Sequence, residues 1–186
     1  ILGLPGETRD SHYQTVRQVI EAGFNNVWLF QLMLLPGSEL NDLESRARYS
    51  MQTCYRALPR CYGRYSVLNV ELAVAEIEEI CVSTNTLSFE EYIECRFMHL
   101  IVTIFYNDAV FGLLLKYIKA KNLSVWDWIE LLIRTKPKDK LNQLFNEFLS
   151  DTREELWDSK EDLQRRVSDP KIVQDYVDGL VGNNLL

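Results

Sequence analysis

Ile1-Leu2-Gly3-Leu4-Pro5-Gly6-Glu7-Thr8 is the stretch that decides the predicted fold. Its first four residues are typical of the end of a strand. Gly3, Pro5 and Gly6 predict a turn directly after it, because glycine permits positive φ and proline restricts the backbone. Domains seldom begin inside a strand, and no methionine precedes this one. We therefore expect the chain to be the later part of a longer protein.

A helix and a second apolar run follow this turn. From Arg9 to about Glu21 the apolar residues recur at helical spacing, and Gly23 supplies a stop signal. The run from Val27 to Leu35 is almost continuously apolar, which is typical of a parallel strand covered on both faces. Strand, helix and strand in this order predict a parallel βαβ unit with a right-handed crossover.

The middle of the chain is ambiguous, and the rest is helical in pattern. Asn41 to Val70 fits either a long active-site loop or a packed connector, because Pro59 and Gly63 interrupt it. Glu71 to Ile80 fits a short helix, or the chain fits a strand around Ile80 to Ser83. From residue 87 onward, capping patterns and helical spacing predict an all-α domain. The capping signals are Ser88 with Glu91, Ser124 with Asp127, and Asp169 before Pro170. Further helices are predicted near Asp139 to Leu149 and Thr152 to Arg166.

Composition excludes some functions. Hydrophobic residues make up 47% of the chain, which is typical of a folded protein. The 20 Lys and Arg are outnumbered by 27 Asp and Glu, for a net charge of -7. Because this charge would repel a phosphate backbone, we predict no nucleic-acid partner. The apolar stretch Leu100 to Ile118 is interrupted by polar residues, so we predict a buried helix and no membrane span.

The cysteines and histidines do not form a recognisable metal-binding motif. Cys54, Cys61, Cys81 and Cys95 are spread without a CxxC, and no paired histidines accompany them. We predict no metal site in this chain and reduced thiols in a cytoplasmic protein. The only two histidines, His12 and His99, have no carboxylate or cysteine at catalytic spacing. We predict that His99 is a hydrogen-bonded core or boundary residue, and that the three glutamates Glu76, Glu78 and Glu79 lie on a solvated helix face.

Two segments together resemble a known enzyme family. The turn Gly3-Leu4-Pro5-Gly6-Glu7-Thr8, the helix after it, and Leu32-Met33-Leu34-Leu35-Pro36-Gly37-Ser38-Glu39-Leu40 resemble the later part of the radical S-adenosylmethionine (SAM) barrel. In that family a GxPGET-like turn commonly follows the fifth strand, and a PGT or PGS element follows the sixth. Leu58-Pro59-Arg60-Cys61-Tyr62-Gly63 and the helical tail look like extensions in cobalamin-associated members.

The resemblance turns the pattern into a fold class and a domain division. It implies an α/β remnant, namely a partial βα barrel with a parallel βαβ unit, followed by an all-α helical C-terminal domain, with helices predominating. Residues 1–45 would be the C-terminal part of the radical SAM barrel. Residues 46–85 would be a connector with a substrate-side loop, and residues 86–186 the helical domain.

The resemblance also implies a chemistry. Radical SAM enzymes use a [4Fe-4S] cluster to cleave SAM reductively to a 5′-deoxyadenosyl radical, which abstracts hydrogen from a substrate, here a small molecule of unknown class. Cobalamin is a further cofactor of the associated members. The CxxxCxxC motif that holds the cluster is absent from this sequence. We therefore expect this fragment to be inactive alone and to bind none of these cofactors by itself.

Particular residues can be assigned from the resemblance. The turn would line the SAM pocket and the second segment would contact adenine, although the residues alone favour a simple turn. Arg60 and Tyr62, in a stretch with two cations and two phenols, would contact substrate or cofactor in the intact enzyme. The SAM-binding residues predicted in this way are Gly3, Leu4, Pro5, Gly6, Glu7, Leu32, Met33 and Leu34.

A second function also fits the sequence. The helical tail is equally typical of a non-catalytic binding or dimerisation module for which the α/β part is a scaffold. Each large apolar side chain of Val27 to Leu35 that stays in water loses about 1.5–3 kcal/mol of burial. We therefore expect self-association through exposed barrel strands, unless the tail covers them.

Overall fold

In the computed structural model, which describes residues 1–182, eight α-helices accompany one two-stranded antiparallel sheet. The helices are α1 (Arg9–Glu21), α2 (Leu43–Arg48), α3 (Phe89–Phe105), α4 (Gly112–Ala120), α5 (Val125–Arg134), α6 (Asp139–Glu154), α7 (Lys160–Val167) and α8 (Pro170–Val177). The strands are β1 (Gln52–Val67) and β2 (Val70–Ser83), and short 3-10 turns occupy Glu39–Asn41 and Asn107–Ala109.

The two strands form one long hairpin, where the sequence was ambiguous. A register shift between Ala57 and Tyr62 takes up Pro59, which has no N–H to give to the ladder. Leu68 and Asn69 both have positive φ, as a two-residue hairpin turn requires. Helices α7 and α8 pack against the hairpin.

At the base of the hairpin, β1 also pairs with a distant part of the chain. Tyr55 of β1 and Trp157, which follows α6, exchange two backbone hydrogen bonds of 2.7 and 2.8 Å. This antiparallel bridge ties the edge of β1 to the segment between α6 and α7.

The prediction of a partial βα barrel with a parallel βαβ unit is wrong. Among the described residues, Val27–Leu35 forms no continuous strand, and its parallel pairing is a single bridge between Leu2 and Gln31. On its other side Met33 bridges Ile80 of β2 in the antiparallel direction. The apolar run therefore lies beside a hairpin, because hydrophobicity indicates that a segment seeks burial but not which partner it pairs with.

Most helices begin where their local signals predict, but the helix predicted near Thr152 to Arg166 is interrupted between Glu154 and Lys160. Helix α1 spans Arg9–Glu21, and Ser88 and Glu91 make a reciprocal capping box at the start of α3. Ser124 caps α5, and Asp169 caps α8 with Pro170 at its first position. The largest apolar cluster joins α1, α3, α5 and α6. Its most buried members include Val16, Ile20, Met98, Ile101, Trp126, Ile129, Phe145 and Phe148.

Within residues 1–182, no single helix has the length and apolar character needed to cross a bilayer. The segments Phe89–Ala109 and Gly112–Ala120 meet the same criteria only as a pair, and they meet at a bend of 90°.

Candidate functional site

The two histidines, which lie far apart in sequence, form a buried pair. His12 on α1 and His99 on α3 are only 2% and 1% exposed. Their Nε2 atoms are 2.8 Å apart, within hydrogen-bond distance, and their ring centroids are 5.1 Å apart. The packing of α1 against α3 places them together. The prediction that His99 is a hydrogen-bonded core residue is confirmed.

Glu7 joins this pair to the turn at the start of the chain. Its Oε1 lies 2.7 Å from Nδ1 of His12, and its Oε2 accepts the Gly3 N–H at 2.8 Å. Burial by itself raises the pKa of the Glu7 carboxyl. The hydrogen bond and charge of His12, with the Gly3 N–H, outweigh burial and lower that pKa below its usual value. One ionised carboxylate therefore holds both the turn and the histidine pair.

The carboxylate sets the tautomers of both rings when they are neutral. Nδ1–H of His12 donates to Glu7, so Nε2 of His12 accepts the Nε2–H of His99. Nδ1 of His99 is then left with a lone pair and no hydrogen-bond partner within residues 1–182. Burial, and then the charges of Arg96 and His12, lower the pKa of His99 well below its ordinary value. This imidazole is consequently neutral near pH 7.

A pocket of about 360 Å³ opens beside His99. Its walls come from the segment after α1, from β1 near its register shift, and from α3. This volume lies within the range of small-molecule sites, which typically combine apolar walls with few polar groups. The lining residues that matter below are Trp28, Phe30, Met33, Arg56, Leu58, Pro59, Arg60, Glu78, His99 and Thr103.

A buried ion cluster forms one wall of the pocket. Nε of Arg56 lies 2.6 Å from Glu78, and its two terminal nitrogens lie 3.0 Å from Glu155 and 2.9 Å from Oε1 of Gln31. Glu78 is buried, so the prediction that it lies on a solvated face is wrong. The strand alternation of β2, which was not recognised in the sequence, turns Glu78 inward towards Arg56.

The residues predicted to contact SAM lie in two adjacent segments. The Leu32 N–H donates to the Leu2 carbonyl at 2.8 Å, which brings the second segment beside the turn. At Gly3 (φ +92°) an added Cβ would lie 3.1 Å from the Cys81 carbonyl oxygen, so close packing requires glycine there. At Gly6 (φ +80°) no atom lies within 4 Å of such a Cβ, which leaves space for a ligand to approach the backbone.

The other predicted SAM contacts differ in burial. Leu32 and Leu34 pack with Cys81 in a small apolar cluster, whereas Met33 is half-buried and lines the pocket. Leu4 borders on exposed and Pro5 is half-buried, both in the turn itself.

The two residues predicted to contact substrate, Arg60 and Tyr62, lie in different surroundings. Arg60 is exposed, has φ +64° and lines the pocket. Tyr62 instead packs its ring against Tyr176 of α8, with centroids 5.1 Å apart. Only Arg60 of the two therefore faces the cavity beside His99.

The cysteines do not come together. All four are free thiols, and residues 1–182 contain no group of three or more His, Cys, Asp or Glu side chains that could hold a metal ion. The residues present therefore do not fit a [4Fe-4S] cluster, which ordinarily needs several thiolate ligands.

No protein-family model matches this chain, and no curated protein matches it.

Proposed function

We propose that this chain is the C-terminal part of a radical SAM enzyme and that it contributes the Gly3–Glu7 turn and the Leu32–Leu34 segment to the SAM site. The observation that carries the proposal is the contact between these two segments, through the 2.8 Å hydrogen bond from Leu32 to Leu2. They are separated in sequence by all of α1. Their adjacency supports a shared role in holding one ligand.

The chain's own residues suit part of this task. Glu7 fixes the turn by accepting the Gly3 N–H, and the open side of Gly6 admits a ligand to the backbone. Bound SAM, cleaved with one electron from the cluster into methionine and a 5′-deoxyadenosyl radical, would supply that radical to abstract hydrogen from a small-molecule substrate. Because the four cysteines do not fit a cluster, the cluster ligands would lie in sequence outside this chain, and the isolated chain would have no activity. Cobalamin use and a cytoplasmic location are further parts of the proposal and rest on the resemblance.

The Gly6→Ala substitution tests the turn in the enzyme encoded by the complete reading frame. After anaerobic reconstitution with iron and sulfide, we expect a [4Fe-4S] cluster and reductant-dependent formation of 5′-deoxyadenosine from SAM. Gly6→Ala should weaken SAM binding about tenfold, or about 1.4 kcal/mol, because the new methyl group occupies the ligand's approach. Isothermal titration calorimetry measures the affinity.

Gly23→Ala is the matched control for this experiment. Gly23 has φ +83°, so the strain of the substitution is similar, but it lies at the far end of α1. SAM affinity should remain unchanged in this variant. A reading frame without CxxxCxxC, or a reconstituted protein that forms no 5′-deoxyadenosine, contradicts the proposed function.

An exposed apolar row supports a second candidate function, association through this face. Trp28 and Phe30 are 68% and 62% exposed, although large aromatic side chains usually find cover. In the intact enzyme this face would contact other parts of the protein; in the isolated chain it would pair with a second copy.

Trp28→Ser combined with Phe30→Ser tests this association. We expect the chain to show concentration-dependent dimerisation in sedimentation velocity, and the double variant to weaken it at least about tenfold, because the apolar contact area is lost. Leu113→Ser, at an 84% exposed position on α4, should leave dimerisation unchanged. If the chain stays monomeric at the highest concentration, this face does not mediate dimerisation.

A further inference from the structure

The histidine pair ends in a buried nitrogen that lacks a hydrogen-bond donor. His99 is 1% exposed and is among the residues that line the pocket, and its Nδ1, which is itself buried, has no partner within residues 1–182. Buried polar atoms in folded proteins nearly always have a partner, so an exception at the wall of a cavity points to a group that enters the cavity. With both rings neutral, the tautomers that Glu7 imposes require this group to be a donor.

The other residues that line the pocket indicate what kind of ligand would carry this donor group. Trp28 and Phe30 offer aromatic surface, and Leu58 and Pro59 extend the apolar wall. Such surfaces favour a flat aromatic body through offset or edge-to-face ring contacts.

The charges that line the pocket are of two kinds. The guanidinium of Arg56 is already hydrogen-bonded to Glu78, Glu155 and Gln31. The pocket wall formed by this ion cluster therefore needs no charged group from a ligand. Arg60 is exposed and has no ion-pair or hydrogen-bond partner among the described residues. It is therefore the cation available to an anionic group at this pocket.

We propose that this pocket binds a small aromatic carboxylate carrying an N–H or O–H donor, with the donor on Nδ1 of His99, the ring against Trp28 and Phe30, and the carboxylate on Arg60. Gly6 is not among the residues that line this pocket, whereas Met33, from the second segment proposed to contact SAM, does line it. The assignment of such a molecule as the enzyme's substrate rests on the proposed function, whereas its binding to this chain does not.

Indole-3-acetate is the probe, because it combines an indole N–H, an aromatic ring and a carboxylate. Calorimetric titration of the chain, at concentrations where it is monomeric and Trp28 and Phe30 are not covered by a second copy, should show one site for indole-3-acetate. The 1-methyl derivative, which lacks the donor but keeps the ring and the charge, should bind at least about tenfold more weakly. Arg60→Gln should weaken indole-3-acetate by about threefold to tenfold. Arg64→Gln, an exposed position further along β1, should not change the affinity.

Glu7→Gln tests the role of the hydrogen-bonded chain without removing it. The amide oxygen can still accept from Gly3, but the amide N–H₂ donates to Nδ1 of His12. Nε2–H of His12 then donates to Nε2 of His99, so Nδ1 of His99 becomes a donor. We expect this variant to lose the preference for indole-3-acetate over its 1-methyl derivative. Long-range ¹H–¹⁵N NMR should show the proton of His99 on Nδ1 instead of Nε2.

Two results would overturn the proposal. One is equal affinity of the wild-type chain for the two indoles, or no binding of either, because the donor at His99 would then have no role. The other is a ¹⁵N resonance of His99 Nδ1 that does not move when indole-3-acetate is added. Neither readout involves SAM or a cluster, so failure here is distinguishable from failure of the radical SAM function.

Discussion

Replacing Arg56 by methionine is expected to lower the free energy of unfolding by about 3–5 kcal/mol. The guanidinium is buried and serves Glu78, Glu155 and Gln31 together, on three separate parts of the chain. The side chain of Glu78 is only 4% exposed, so its carboxylate cannot regain full hydration when its partner is removed. Loss of one member of a buried ion pair is costly for this reason, whereas the intact pair adds little over an apolar substitute.

Urea unfolding followed by circular dichroism measures this change at pH 7. Arg134→Met is the control, because its ion pair with Glu130 lies on the surface of α5 and should contribute less than about 0.5 kcal/mol. Arg56→Met combined with Glu78→Leu removes both charges and should recover part of the stability. If Arg56→Met and Arg134→Met are equally stable, the cluster does not hold the three segments together.

Acidification from pH 7 to pH 5 is expected to destabilise the protein through His99. Burial, with the charges of Arg96 and His12, lowers the pKa of this imidazole well below its ordinary 6.5. Below about pH 6.5 the unfolded chain takes up a proton at His99 that the folded chain does not. Stability is therefore lost as the pH falls, by up to about 1.4 kcal/mol per pH unit, until the folded state also protonates.

A pH series of urea unfolding curves with the His99→Gln variant checks this result. The difference between wild type and variant isolates the contribution of His99, because carboxylates contribute to both curves alike. Glu7 also has a lowered pKa, but its contribution is present above about pH 4.5 and is lost only at lower pH. Curves that stay parallel from pH 7 to pH 5 would show that His99 titrates normally in the folded protein.

The helical part of the fold was predictable because its signals are local. A hydroxyl three residues before an acid, as at Ser88 and Glu91, satisfies backbone groups within one turn and needs no distant partner. The hairpin was missed because Pro59 and Gly63 indicate breaks, and a register shift that accommodates proline depends on the opposite strand. The alternation of Glu76 and Glu78 with apolar residues is typical of a strand. The same acidic residues are also compatible with the solvated face of a helix, so the pattern was ambiguous.

The candidate site could be predicted only in part. The turn at Gly3 and Gly6 was recognisable, because few residue types other than glycine readily adopt positive φ. The pairing of His12 with His99 was not, because it depends on how α1 packs against α3. His12 did carry one local signal, because the carboxylate of Glu7 lies five residues before it. Spacing rules for catalytic pairs do not include this separation.

The bridge between Tyr55 and Trp157 imposes an order of events on the newly made chain. During synthesis β1 and β2 can pair soon after they emerge, but the outer edge of β1 at Tyr55 has no partner until Trp157 has left the ribosome. All of α3 to α6 must be translated in that interval. The nascent protein therefore presents an open strand edge while α3 to α6 are translated, and unpaired strand edges favour association with other chains.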